Sequence, residues 1–414
     1  MTRLILGFLA TASIAWNQEP PPDVNVNSRY TVEGIEVLGE KKAKLSKGIR
    51  KDLDSLVGAR FDPGVVADLA ARIRKELRAR SVVHRVEKGL RAEHVRVIFE
   101  VARRKFDIDT VPASKGVYHS RQGWTGDLTA SFHGVILGVA SNQDDLIERF
   151  AGFRAGFQKE RMFADRLGFR FLFESFHTQW HPNTLAALAA RPDVPGIYRE
   201  RNAFQPALTV GLARELTLTS GFDFQRFQTQ YPAARWEGAH VAVLTLRYRP
   251  KWENSSRQRH DLDAAYTLRA ATRVLSSDFV YNSHSVRADY RFTSGRERLV
   301  LVGYGGTIHG NVPLFERFSL GNSSTLRGWS KFDVFPLGGT RESYGSVEYR
   351  HAWGEVETGV FYEAGSVWDK GMPAVARHAA GITLGSRKDG PYLAIAFPVT
   401  NGRVIPIFTL AMRF

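Results

Sequence analysis

The chain has 414 residues, with 57 Lys and Arg against 42 Asp and Glu for a formal charge of +15, 43% hydrophobic and 12% aromatic residues, 37 glycines and no cysteine. That length allows two or three domains, and the composition is neither disordered nor collagen-like. The absence of cysteine excludes disulfide staples, thiolate metal sites and a cysteine nucleophile.

Residues 1–15 read as a secretory signal peptide: Arg3 supplies the positive start, Leu4 to Ala12 the apolar stretch, and Ser13-Ile14-Ala15 the small residues of a cleavage site. The apolar stretch is too short to cross a bilayer as a helix. Residues 16–28, with Pro20-Pro21-Pro22, read as a polar linker. Beyond them no run of about 18 apolar residues occurs, so no membrane helix is expected. A closed barrel stays open, because its strands leave only a weak hydropathy signal.

Residues 29–104 change period in the manner of a small α/β domain. Tyr30 to Leu38 reads as a strand, with Ile35 and Val37 on one face. Ile49, Leu53 and Leu56 form one helix stripe. Asp62-Pro63 reads as an N-cap and first turn, followed by Val66, Leu69, Ile73 and Leu77. Val82 and Val86 mark a further strand, and Val95, Val97, Phe99 and Val101 alternate along the last. This β-α-α-β-β order, with Gly39 after the first strand and Val57-Gly58-Ala59-Arg60-Phe61 between the helices, resembles a POTRA domain. The resemblance implies a periplasmic location and client binding by strand addition at a sheet edge. The segment carries 19 basic and 11 acidic residues, a balance of +8. That excess fits either a solvated surface or attraction to acidic clients and lipid head groups.

Residues 105–414 show no helical period; they repeat alternating segments of ~10 residues between Gly, Pro, Asn and Asp clusters. Leu167, Phe169, Phe171 and Phe173 alternate with Gly168, Arg170, Leu172 and Glu174, and Phe408, Leu410, Met412 and Phe414 alternate with Ile407, Thr409, Ala411 and Arg413. A soluble sandwich also alternates, but the recurrence behind a signal peptide favours a transmembrane antiparallel β-barrel. About 16 strands of about 10 residues fit the length, and twelve or fourteen also fit. Phe414 is a C-terminal aromatic of the kind outer-membrane barrels commonly present for assembly. Thr125 to Val139, with Gly126, Gly134 and Gly138, is a candidate for a weakly paired seam strand.

The most specific motif runs Phe315 to Trp329, FERFSLGNSSTLRGW. It resembles the sixth-loop signature of the BamA, TamA and two-partner-secretion superfamily, in which a Gly-containing stretch (here with Gly321) precedes an apolar-Arg-Gly-aromatic tetrad, here Leu326-Arg327-Gly328-Trp329. Gly345-Ser346-Val347-Glu348 matches the family's G-x-x-E strand, and Phe361-Tyr362-Glu363-Ala364-Gly365 its F-x-D-x-G strand, with Glu363 where the pattern usually has Asp. Alternation and the cost of a lipid-facing carboxylate turn Glu348 and Glu363 into the lumen. An inward loop arginine could bridge both with its forked donors. The resemblance implies that Arg327 is that residue, with the loop at 315–329 locked inside the barrel, and Gly328 would let its backbone approach the wall.

Other chemistry is thin. His177 and His181 are four apart but read as part of a Phe-rich strand ending at Pro182, so no metal is expected. Gly303, Gly305, Gly306 and Gly310 spell no phosphate loop and read as bends in the wall. No G-x-S-x-G or H-E-x-x-H occurs; no enzyme, cofactor or nucleic-acid partner is expected. The resemblance implies an outer-membrane protein that assembles or inserts barrel proteins, with unfolded outer-membrane or exported polypeptides as clients, contact with outer-membrane lipids and room for an accessory periplasmic or inner-membrane partner. Two alternatives stand beside it. One is a two-partner-type secretion transporter, whose known branch carries two POTRA domains and a plug helix where this chain offers one POTRA and no plug. The other is a passive pore favouring anions through lumen arginines such as Arg287 and Arg291.

Overall fold

The computed structural model describes residues 29–38, 45–77, 79, 81–102, 114–162, 166–191, 194, 196–230, 233–254, 258–387, 391–400, 402 and 404–413. The expected signal peptide and linker, and Phe414, lie outside these residues. The chain divides into two compact units after Lys105.

The first unit runs β1 (Thr31–Leu38), α1 (Lys47–Leu56), α2 (Pro63–Glu76), β2 (Ser81–Lys88) and β3 (His94–Ala102). Its sheet has the order β1-β3-β2, with β1 parallel and β2 antiparallel to β3. Both helices start where a side chain satisfies the first free amides. Ser46 Oγ accepts from Ile49 N, and Asp62 Oδ1 accepts from Gly64 N at 2.8 Å ahead of Pro63. Ile49, Leu53, Val66 and Ile73 from the helices meet Val32, Val97 and Phe99 from the sheet in one buried core.

The second unit is a closed antiparallel barrel. Its wall is built by β4 (Lys115–His119), β5 (Gly123–Phe132), β6 (Val135–Asn142), β7 (Arg149–Met162), β8 (Leu167–Gln179), β9 (Tyr198–Gly211), β10 (Leu216–Thr229), β11 (Arg235–Tyr248), β12 (Lys251–Glu253), β13 (Arg259–Ala271), β14 (Tyr281–Ser294), β15 (Glu297–Gly310), β16 (Arg341–Trp353), β17 (Val356–Trp368), β18 (Arg377–Ser386), β19 (Tyr392–Val399) and β20 (Ile407–Arg413). β11 and β12 both pair with β13 and count as one, which makes sixteen strands among the described residues. The alternation read in the sequence maps onto the two faces of this wall. Phe173, Phe204 and Phe224 stand in one outward row across β8, β9 and β10, while Glu174, Ala203 and Gln225 form the inward row beside it.

Two expectations change. The stretch from Thr125 to Val139 is the β5–β6 hairpin, because His133 (φ 48°) and Gly134 (φ 90°) turn the chain in the two-residue geometry that hairpins favour. The closure lies instead between β4 and β20, paired over five residues from Lys115–His119 to Thr409–Arg413, where β14 and β15 pair over fourteen. The barrel half also holds helices, α3 (Pro182–Ala189) and α4 (Lys331–Val334), each too short to leave a periodic stripe in the sequence.

Candidate functional site: a loop held inside the barrel

The connection between β15 and β16, residues 311–340, folds against the inner wall. Its first turn buries Leu314 and Phe315 among Tyr198, Phe227, Phe279, Tyr281 and Ile308. Phe318 then lies against Gly306, where a Cβ would come within 2.4 Å of the ring. Gly306 is thus a socket for a loop aromatic and not a bend, whereas Gly305 meets open space, Gly303 meets only the Tyr344 carbonyl at 4.0 Å and Gly310 (φ 103°) ends its strand. Gly321 (φ 99°) and an Asn322 side chain accepting from Ser324 N and Thr325 N, both at 2.9 Å, turn the loop back on itself. Leu326, fully buried, adopts φ 44°, a left-handed conformation that costs an ordinary residue about 1–2 kcal/mol. Its packing against Leu320, Tyr344 and Val367 offsets that strain and aims the next residue at the wall.

Arg327 reaches both sequence-predicted carboxylates. Glu363 on β17 accepts from Arg327 Nε at 2.6 Å and, through its other oxygen, from the Arg327 backbone N at 2.7 Å. Glu348 on β16 accepts from Arg327 Nη1 at 3.1 Å. The two carboxylates occupy diagonal inward positions, since Ser346 pairs with Glu363 and Glu348 with Phe361. The Phe361 ring fills the space between them and lies 3.6 Å below the guanidinium carbon. Tyr344 donates to Glu363 at 3.0 Å, Arg350 and Thr383 to Glu348 at 2.7 and 3.0 Å, and the Tyr392 hydroxyl on β19 accepts a further bond from Arg327. Arg327 is 5% exposed and Glu363 0%. Burial acts to lower the basicity of Arg327, but the Glu363 carboxylate, Tyr392 and Glu348 together hold it above the ordinary arginine range.

Gly328 lies flat on the wall: an added Cβ would stand 2.8 Å from Ala379 Cβ and 3.0 Å from the Phe397 carbonyl carbon. Trp329 donates its indole N–H to the His378 carbonyl at 2.8 Å, with the Arg377 guanidinium 4.7 Å from its ring. Gly365 admits Leu320, whose Cδ1 would come within 2.8 Å of a Cβ there. Leu326, Arg327, Gly328, Trp329, Glu348, Glu363 and Gly365 therefore gather in one place, while Gly321 turns the loop beside Lys331 and Gln122. Gly345 does not join them; it faces outward beside Gly303 with nothing within 4 Å of a Cβ. His177 ends in β8 while His181 caps α3 and stacks flat on Phe332 at 3.9 Å, so the two do not share an element. Arg287 pairs with Asp289 at 2.6 Å on β14.

Several holding residues lie outside the motif. Glu316 accepts from Arg269 Nη2 at 2.5 Å, and Arg269 also binds Asp223 at 2.8 Å. Arg317 donates to Asp369 at 2.5 Å. Asp144, between β6 and β7, accepts from Ser323 N at 2.9 Å, and Gln122 donates to the Gly321 carbonyl at 2.6 Å. The Lys331 ammonium, 2% exposed, donates to the carbonyls of Gln143, Asp144 and Leu146. Burial pulls its pKa down to about 8, with Asp144 opposing that shift. FERF and Lys331 carried no pattern that would have named Arg269, Asp369 and the Gln143 carbonyl as partners, 47 to 188 residues away along the chain. Only charge at loop positions hinted at them.

A barrel of sixteen strands that meets itself at a short first and short last strand, with one long loop held inside by a buried arginine, defines the class of this protein. Residues 254–385 match the Omp85 superfamily domain. BamA from Haemophilus ducreyi lacking POTRA domains 1–3 superposes with a TM-score of 0.53 at 14% identity, over 94% of this chain and 85% of that one. CdiB from Acinetobacter baumannii superposes with a TM-score of 0.53 at 11% identity, over 94% of this chain and 74% of that one. Identities that low speak for the fold alone. No curated protein sequence matches the chain.

Proposed function

We propose that the protein works in a bacterial outer membrane, where it takes up unfolded polypeptides and inserts them as β-barrels. The first unit serves as a periplasmic POTRA domain, offering the edge of β2 to an extended client. The client then adds its strands at the β4–β20 closure, the middle one of three neighbouring five-pair ladders, β19–β20, β20–β4 and β4–β5. The observation that carries this reading is the contrast in that wall: five paired residues at the closure and in each ladder beside it, against fourteen between β14 and β15. A loop locked by Arg327 keeps the remaining wall rigid while the closure yields.

The cysteine-free sequence allows a direct test. Single cysteines replace His84 on β2 and, separately, Tyr118 on β4, and adducts are crosslinked in cells and identified. Recovery of outer-membrane barrel proteins at both positions is the expected result. One exported polypeptide that forms no barrel would move the assignment to secretion. No adduct, together with anion conductance in a planar bilayer, would move it to a pore.

A further inference from the structure

The loop contacts fall on both sides of the closure. On the side of the last strands, Arg327 binds Glu348, Glu363 and Tyr392, and Trp329 binds the His378 carbonyl. On the side of the first strands, Gln122 binds Gly321 at 2.6 Å, Asp144 binds Ser323 N and Oγ at 2.9 and 2.5 Å, and Lys331 binds the 143–146 carbonyls. Between residues 321 and 331 the loop therefore goes from the first strands to the last and back.

The two attachments differ in kind. The Arg327 side joins formal charges that are nearly fully buried, and breaking it strands two carboxylates. The Lys331 side relies on neutral carbonyls and one carboxylate, and each group there finds water once the loop lifts. We propose that residues 321–331 form a strap across the β4–β20 closure, with Lys331 as the positioning residue whose release frees the first strands while Arg327 keeps the loop on the last. The proposal rests on the reading of that closure as the part that opens, and it names what holds it shut. Five ladder pairs then do not close the barrel alone; the strap adds side-chain bonds that span the same break. Gly321 fits this role, since a Cβ there would stand 2.7 Å from Lys331 N and would separate the two ends of the strap.

The test places spin labels on cysteines at Tyr118 and Leu410, which pair across the closure and face outward. Distances are measured in the full mature chain folded in bilayers, without client. The parent gives one short distance. Lys331→Met with Ser323→Ala raises the long-distance fraction about tenfold, the change that losing ~1.4 kcal/mol of closure free energy produces. Heat-modifiable gel mobility confirms that the variant is folded. A second variant guards against misfolding: cysteines at Ser323 and Asp144 in the Lys331→Met background, with nitroxides attached to p-acetylphenylalanine at positions 118 and 410, give the parent distance when oxidised and the long one when reduced. Parent-like distances in every folded variant overturn the strap. A closure that opens on release but inserts no client keeps the strap and removes the assembly reading.

Discussion

At Arg327 a single side chain donates to acceptors on three strands, so its loss is felt as unpaired charge and not as a missing contact. Arg327→Ala should leave a folded barrel whose thermal unfolding, followed by heat-modifiable gel mobility, falls by an amount equivalent to about 3–5 kcal/mol, because Glu348 and Glu363 stay buried without a partner. Unchanged mobility at every temperature would remove Arg327 from the lock. Arg327→Lys should not restore the parent, since one ammonium cannot serve Glu363 and Glu348 with the planar fork that now spans them. Glu348→Gln and Glu363→Gln share one guanidinium, so their effects on stability should combine with an interaction of about 0.5–3 kcal/mol; strictly additive losses would mean separate sites. The motif glycines divide by what surrounds them. Gly328→Ala forces the loop off Ala379 and Phe397 and should lower stability, while Gly345→Ala meets open space and should leave the melting curve where it was.

At the scale of elements, strand length is the informative quantity. β4 and β20 are the shortest full-wall strands at five and seven residues, and β5 and β19 beside them have ten and eight, whereas β9 to β11 and β14 to β15 have fourteen. Amide exchange should follow that order: protection factors along β4 and β20 should be lower than along β14 and β15 by at least about a hundredfold, as expected when opening there costs ~3 kcal/mol less. Equal protection around the whole wall would contradict a yielding closure. The sequence made the alternation of these strands plain, since each inward or outward choice repeats every second residue. It misassigned Thr125 to Val139 because glycine marks both weak strands and hairpin turns, and only the paired positive φ of His133 and Gly134 separates the two. It overlooked β4 because Lys115–His119 is too short to display a period.

For the molecule as a whole, local patterns carried the antiparallel barrel and the order of the first unit, because both follow from period and capping within a few residues; sixteen strands was one of three counts that the length allowed. The motif also named the residues that meet at Arg327, whose spacing spans two adjacent strands. What it did not carry was long-range: the Lys331 cage around residues 143–146, the Asp144 bond to Ser323 and the Arg269 clamp on Glu316 arise only when distant segments face each other across the lumen. The first two belong to the proposed strap, and the closure it crosses is the centre of the functional reading. The most direct test replaces Val117 and Ala411, paired across β4 and β20, with cysteines in the otherwise cysteine-free chain. Paired antiparallel positions have the Cα spacing a disulfide needs. In vesicles holding the folded protein, the oxidised form should fail to insert a client barrel and the reductant should restore insertion to the parent rate. Insertion at the parent rate with the disulfide intact would contradict assembly at this closure.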